Sequence, residues 1–448
     1  MTTHTTTHTA AQGSKHAGAH AAAAGEKPKT GRLATASMVG TTLEWYDFTV
    51  YNTMAALIFN HLFFPSFDPL TGTILAFSTY AVGYISRPIG GVIFGHLGDK
   101  LGRRWVLVVT LMLMGVTTGL MGLLPTYATA GIWSPILLVA LRFVQGIALG
   151  GEWAGAVLIS VEHGAADKRG RNASWTQVGP SFGTLLATGC IGLITYLLPH
   201  EAFMDWGWRM PFIASLLLVA FGMWIRSGID ETPLFKELDQ QDAKAEAPIG
   251  DVLRIYWRRL LIAGGVRIGS DVLYALVVVF TLTYVTTVLH LSSTLALTAI
   301  MIGTACNALA VPVFGALSDR IGRRPVYALG AVLGLVWAFA FFTLLDTASP
   351  GAIVTAVVVG LVIHAIMYGP QAAFVIEQFP TKVRYAGSSL AYTLAGVIGG
   401  GFAPLVIASL YRSYNSTMAV SLYVAAALLI TGAAVFAARE TGRGPLEE

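Results

Sequence analysis

The chain reads as long apolar runs separated by short polar ones. A membrane-crossing helix needs roughly 20 mostly apolar residues. Twelve stretches meet that length: 36–60, 71–97, 105–125, 132–162, 172–198, 208–227, 258–288, 293–317, 325–346, 351–377, 385–411 and 417–438. Several are longer than a bilayer requires, which predicts tilted helices projecting past the hydrocarbon. The expected fold class is therefore an all-α membrane protein of twelve transmembrane helices.

The polar runs divide into two sets. Of the loop and tail lysines and arginines, 23 fall in the termini and the loops after even-numbered helices, and 2, Arg209 and Arg412, fall in the opposite loops. Positive charge marks the cytoplasmic side, so both termini are expected there. The longest internal polar stretch contains ETPLFKELDQQDAKAEAP and lies near mid-chain. The expected organisation is a tail at 1–34, a six-helix half at 35–227, a cytoplasmic linker at 228–256, a second half at 257–438 and a short tail at 439–448. The first tail is low in complexity and has no apolar core, so it reads as disordered rather than as a signal peptide. Its His4, His8, His16 and His20 have at most a weak capacity for metal.

Composition removes most other classes. Charged residues make up 12% of the 448, against roughly a quarter in soluble domains, so a soluble enzyme is excluded. The basic residues sit between apolar stretches without aromatic interleaving, which speaks against nucleic-acid binding. Cys190 and Cys306 lie inside apolar runs and read as small core residues. No hydrolase triad, Walker segment or zinc spacing is present. The glycine-rich GVIGGGF at 396–402 follows no strand and reads as close helix packing. The expected partners are a bilayer, a small solute and protons, with the chain acting as a monomer and needing no cofactor beyond a proton gradient.

Two segments repeat. GHLGDKLGRRWVL from Gly95 and GALSDRIGRRPVY from Gly315 are 220 residues apart, and each follows an even-numbered helix. Glu162 with Arg169 is likewise echoed by Glu377 with Arg384. Repeats at half the chain length imply two duplicated, pseudo-symmetric halves. Asp99, Arg103 and Arg104, with Asp319, Arg323 and Arg324, are suited to clip neighbouring helices by ion pairs. If the pairs form in one conformation alone they make a cytoplasmic gate, which would include Glu162, Arg169, Glu377 and Arg384. Arg87, beside Pro88 and near the first loop, is grouped with them in a structural role. The doubled G-x-x-x-D-x-x-G-R-R pattern resembles the signature of the major facilitator superfamily.

Charge inside the membrane is costly and marks function by default. Seven ionisable residues fall there: Glu44, Asp47, Arg87, Arg142, Glu152, Arg267 and Asp271. Glu44 and Asp47 share a helix face that Tyr51 continues. Arg142, Gln145 and Glu152 form a second stripe, on a helix thinned by Gly146, Gly150 and Gly151. Arg267 and Asp271 are spaced to pair within one helix. Counting rise per residue places Glu44, Asp47, Arg87 and Glu152 in one layer, with Arg142 a separate cation about 15 Å further out. A carboxylate buried without a partner binds a proton more readily, and a nearby arginine opposes this. Glu44, Asp47, Glu152 and Asp271 are thus candidates for proton coupling, with the first half expected to hold most of it. Tyr51, Arg142, Gln145, Arg267, Tyr274 and Gln371 are candidates for substrate binding.

EWYDF, RPIGG, RFVQGIALGGEW and WGWRMPF resemble the metabolite:proton symporter family. FGHLGDKLGRR, SPILLVALRFVQG and GGEWAG are most like shikimate-type permeases. The resemblance implies uptake of a small acid or osmolyte with proton entry, by alternating access. An organic acid such as a shikimate- or 2-oxoglutarate-like carboxylate is preferred on Arg142 and Arg267. Trp45, Tyr46, Tyr51 and Trp153 leave a proline- or betaine-type substrate open through cation–π contact. A proton-driven exporter of the same fold is disfavoured, because Arg171 and Trp175 stand where the exporters' fifth helix needs small residues. Three smaller expectations complete the reading. His364 packs, helix 10 breaks at Gly369–Gln371, and Trp206 and Trp208 belong to an interfacial belt.

Overall fold

A computed structural model describes residues 30–101, 103–150, 152–162, 166–227, 248–380 and 383–442. The side chains of 95–107, Glu152 and Glu162 are outside that description, as are nearly all of the N-terminal tail and most of the linker. In a bilayer every backbone group must be satisfied internally, and every regular element among the described residues is a helix. In order come α1 (Thr30–Leu57), α2a and α2b (Pro69–Ile85, Arg87–Leu101), α3 (Arg103–Gly122), α4a and α4b (Trp133–Ala148, Glu152–Glu162), α5 (Arg169–Leu197) and α6 (Met210–Ser227). The second half holds α7 (Trp257–Val288), α8 (Ser293–Ile321), α9 (Arg323–Leu345), α10 (Pro350–Glu377), α11a and α11b (Arg384–Ala395, Ala403–Tyr414) and α12 (Thr417–Ala437). Among the described residues, eight helices, α5 to α12, are long and apolar enough on length and composition to cross a membrane. The four others are α1 to α4. Two of these are interrupted, α2 at Ser86 and α4 between Ala148 and Glu152.

Local chemistry sets the ends. Asp68 caps α2a by accepting from the Thr71 amide at 3.2 Å, with Pro69 in the first turn, where its missing N–H costs nothing. Ser292 caps α8 through the Leu295 amide at 3.3 Å. Gly322 joins α8 to α9 at φ 109°, where a Cβ would meet the Glu440 carboxylate at 2.8 Å; no other residue suits that turn.

Small residues decide how closely the helices approach. A Cβ on Gly146 would lie 1.9 Å from Ser86 Oγ and 2.0 Å from the Gly83 carbonyl oxygen, so α4a touches α2a backbone to backbone. Two helices depart from α geometry where they face the centre. α7 passes through π turns at Ala275–Phe280 and Tyr284–Val288, and α11 through one at Gly396–Gly401. Such turns gather at functional sites. In the last of them, a Cβ on Gly401 would sit 2.7 Å from Tyr84 Cβ, so the glycine run does serve close packing.

Two expectations are corrected. α10 runs unbroken from Pro350 to Glu377 through Pro370, because proline removes one bond and the packed neighbours hold the rest. Trp208 is fully buried among Phe59, Phe63 and Phe212 and does not lie at an interface; Trp206 is exposed. Trp208 anchors aromatic packing just before the start of α6.

Candidate transport site and gate

A small central cavity lies between the halves. The first half contributes Trp45, Asn52, Tyr80, Tyr84 and Ser181, and the second contributes Arg267, Asp271, Tyr274, Asn307, His364 and Tyr368. Its free room is about 30 Å³. One water needs about 10–15 Å³ by this measure, so the cavity in this structure is too small for a metabolite.

The cavity's ion pair is on α7, where Arg267 Nε lies 2.8 Å from Asp271 Oδ2. The i, i+4 spacing alone brings the two together. Arg267 Nη1 also donates to the Tyr392 carbonyl oxygen at 2.6 Å, and the guanidinium lies 3.4 Å from the Tyr392 ring centroid. Trp153, on α4b of the other half, stacks on the same ring at 3.6 Å and 8°. Two groups so close cannot share one face, so Tyr392 is sandwiched and the stack bridges the halves. Trp153 donates to Gln177 Oε1 at 3.2 Å, which holds its indole in plane.

A second network lies behind the cavity wall in the first half. Asp47 Oδ2 accepts from Thr118 Oγ1 at 2.8 Å, and Gln145 Nε2 donates to that same hydroxyl oxygen at 2.6 Å. Gln145 Oε1 in turn accepts from Arg142 Nη1. The Arg142 guanidinium lies 4.1 Å from the Tyr51 ring, 4.6 Å from Phe48 and 4.8 Å from Tyr80. Aromatic faces thus offset the burial of its charge. Arg87 sits apart, 3.9 Å from Glu44 Oε1 and over the Tyr84 and Phe48 rings at 4.0 and 4.4 Å.

The third cluster lies at the face that carries the arginine-rich loops. Glu377 at the end of α10 accepts from Arg169 Nε at 2.9 Å and from Arg323 Nε and Nη2 at 3.2 and 3.1 Å. Asp319 accepts from Arg323 Nη1 at 2.7 Å and from the Gly170 and Arg171 amides at 2.8 and 2.9 Å. An acid of the second half thus sits at the N-terminus of α5 in the first, where the helix dipole favours it. The end of the chain joins in. Thr441 Oγ1 donates to Glu377 Oε2 at 2.6 Å, and Glu440 accepts from the Arg323 and Arg324 amides at 2.8 and 2.9 Å.

Several expectations are rearranged. Of the substrate-binding candidates, Arg267 and Tyr274 line the cavity. Tyr51, Arg142, Gln145 and Gln371 are buried away from it, Gln371 accepting at 3.0 Å from the Tyr327 hydroxyl. Of the coupling candidates, Asp271 lines the cavity; Asp47 and Glu44 do not, and the Glu152 side chain lies outside the described residues. Of the expected layer, Arg87 meets Glu44 and Asp47 follows Glu44 by one turn of α1, while the Glu152 side chain lies outside the described residues. Arg142 is connected to Asp47, an acid on another helix, through Gln145 and Thr118. Of the gate candidates, Arg169, Asp319, Arg323 and Glu377 converge. Arg324 bonds the Val435 and Phe436 carbonyls, Arg384 donates to the Phe379 carbonyl, and Arg87 belongs with Glu44. Asp99, Arg103, Arg104 and Glu162 have side chains outside the described residues. Sequence reading missed Tyr392, Asn307, Tyr368 and Glu440. Asn307, an amide within an apolar helix, was findable as a buried polar group; the others had no local signal.

Comparison with known proteins fits this geometry. The Major Facilitator Superfamily model matches residues 37–404 and 272–443. The shikimate transporter of Escherichia coli (strain K12) is 38% identical over 416 residues, 92% of this chain and 95% of that protein. The proline/betaine transporter of the same organism is 35% identical over 434 residues, 94% of this chain and 85% of that protein. The proton:xylose symporter XylE bound to 6-bromo-6-deoxy-D-glucose has the same fold at a TM-score of 0.72 and 18% identity, covering 94% of this chain and 98% of that one. The chain belongs to the Major Facilitator Superfamily, so it is a multi-pass membrane carrier built from two pseudo-symmetric halves and not an enzyme. Within that superfamily it resembles the metabolite:proton symporters.

Proposed function

We propose that the chain is a proton-coupled symporter that takes up a small organic carboxylate across the cell membrane. The arginine-rich face and both termini are cytoplasmic on this reading. One observation carries it: the Arg267–Asp271 ion pair stands in the wall of the central cavity. A substrate carboxylate that takes Asp271's place on Arg267 leaves Asp271 buried without a partner. A charge so placed is costly, and Asp271 is relieved by taking a proton. Substrate and proton then bind together and leave together. The Asp47–Thr118–Gln145–Arg142 network stiffens the first half or carries a second proton.

A second reading has its own support. Trp45, Tyr80, Tyr84, Tyr274 and Tyr368 give the cavity an aromatic lining suited to a quaternary ammonium, and a similar protein is a proline/betaine transporter. The test is uptake by proteoliposomes of shikimate, 2-oxoglutarate, proline and glycine betaine at two imposed pH gradients. An acid should accumulate against its gradient only when protons enter with it. Asp271→Asn should retain exchange of labelled acid and lose accumulation. Accumulation of no acid, or retained accumulation by Asp271→Asn, would defeat the proposal.

A further inference from the structure

We infer that Ser181, Asn307, His364 and Tyr368 form a wall that reads hydroxyl groups, so that the substrate is a hydroxylated monocarboxylate. The inference rests on the carboxylate reading above and narrows it. Asn307 lies mid-way along α8 and is 3% exposed. Its Nδ2 donates to the Leu361 carbonyl oxygen at 2.7 Å and to His364 Nδ1 at 3.1 Å, while its Oδ1 accepts from Ser181 Oγ at 3.0 Å. A flipped amide would set its oxygen against the Leu361 carbonyl, so this orientation is fixed. With Nδ1 accepting, the ring proton is on Nε2, and His364 is left as a neutral donor. The Tyr368 ring stacks on that imidazole at 4.8 Å. Its hydroxyl is buried without a hydrogen-bond partner, as is Oδ1 of Asn52 from the other half. Both residues line the cavity and both are at least nine-tenths buried.

The chemistry of this wall selects. It presents a neutral donor, a hydroxyl that can do either and a neutral acceptor, and a substrate hydroxyl both donates and accepts. The Ser181–Asn307 and Thr184–Tyr274 bonds, which tie the halves together, can be exchanged one for one for bonds to such hydroxyls. Among the described residues lining the cavity, Arg267 is the one cation. A second carboxylate, as in 2-oxoglutarate, would therefore have no counter-ion. A betaine has neither hydroxyl nor N–H and would leave the wall unpaired. Sites built to bond a hydroxyl reject the analogue that lacks it.

The experiment compares shikimate with cyclohex-1-ene-1-carboxylate, a six-membered unsaturated acid without the hydroxyls, in proteoliposomes of the full chain. 2-Oxoglutarate and glycine betaine serve as competitors. The expected result is a kcat/KM at least tenfold higher for the hydroxylated acid, and weak competition from the other two. Tyr368→Phe should shrink that ratio about tenfold, whereas a merely structural role would lower both values and keep their ratio. Asn52→Leu gives a second reading of the ratio if Tyr368→Phe does not fold. Equal handling of the two acids, or stronger competition by the diacid or the betaine, overturns the inference alone. Accumulation of no acid at any pH gradient overturns it together with the symport proposal.

Discussion

Arg142 shows how a fully buried charge is tolerated. It makes a hydrogen bond to Gln145, and three aromatic rings take up the rest of its burial. A planar, weakly hydrated guanidinium suits such faces, and an ammonium does not. Arg142→Lys keeps the charge and should still destabilise the carrier by about 2 kcal/mol, the scale of a desolvated cation–π contact. Thermal unfolding in detergent checks this, and an unchanged midpoint would mean that the rings do not hold the charge. The residues of this network were legible in the sequence because charge inside an apolar run is conspicuous. Their partnership was not. Asp47 reaches Arg142 through Thr118, which sits on a third helix and carries no distinguishing signal.

At the scale of the helix, the sequence showed where most spans lie, because apolar length is a local property. It also showed that the fourth would be thin. What the thinness serves appears only from the partner: Gly146 lies against Ser86 and Gly83, where α2 is interrupted. Gly146→Val would force the backbones apart by more than the flexible end of a side chain can absorb. It should lower the yield of folded carrier and abolish uptake, while Gly192→Val, at a position where a Cβ meets nothing within 4 Å, should have little effect on either. Size-exclusion profiles of the two variants decide it. The π turns of α7 and α11 were illegible, since an extra residue in a turn leaves no trace in hydrophobic spacing. Those at Ala275–Phe280 and Gly396–Gly401 contribute Ala275, Val279 and Gly400 to the cavity wall, so part of the site is built where the backbone departs from the regular helix.

For the molecule as a whole, the two faces are tied by different means. On the arginine-rich face, Glu377 joins Arg169 of one half to Arg323 of the other, and all three are buried. On the opposite face, Asp68 meets Arg412 at 2.8 Å and both are exposed, so that tie is weak. The repeat pattern pointed to an acid–arginine clip but not to its crossed wiring, because an echo within each half cannot show that the pair forms between halves. Removing one partner of a buried pair strands the other charge, at a cost of about 3–5 kcal/mol. Here the stranded arginines can instead reach water if the halves part. Glu377→Gln should therefore move the carrier toward a form open on the arginine-rich face. A cysteine placed at Ser174, which Gly315 covers in this structure, should then label at least tenfold faster in the variant. The exposed tie does not confuse the reading at neutral pH. The Thr71 hydroxyl and, more weakly, Arg412 hold the Asp68 carboxyl below its ordinary range. It stays charged at neutrality and gives up its charge only as the pH falls through that lowered value, which is the sense of linkage for a depressed carboxylate. Equal labelling rates in the two proteins would mean that Glu377 does not hold the face shut.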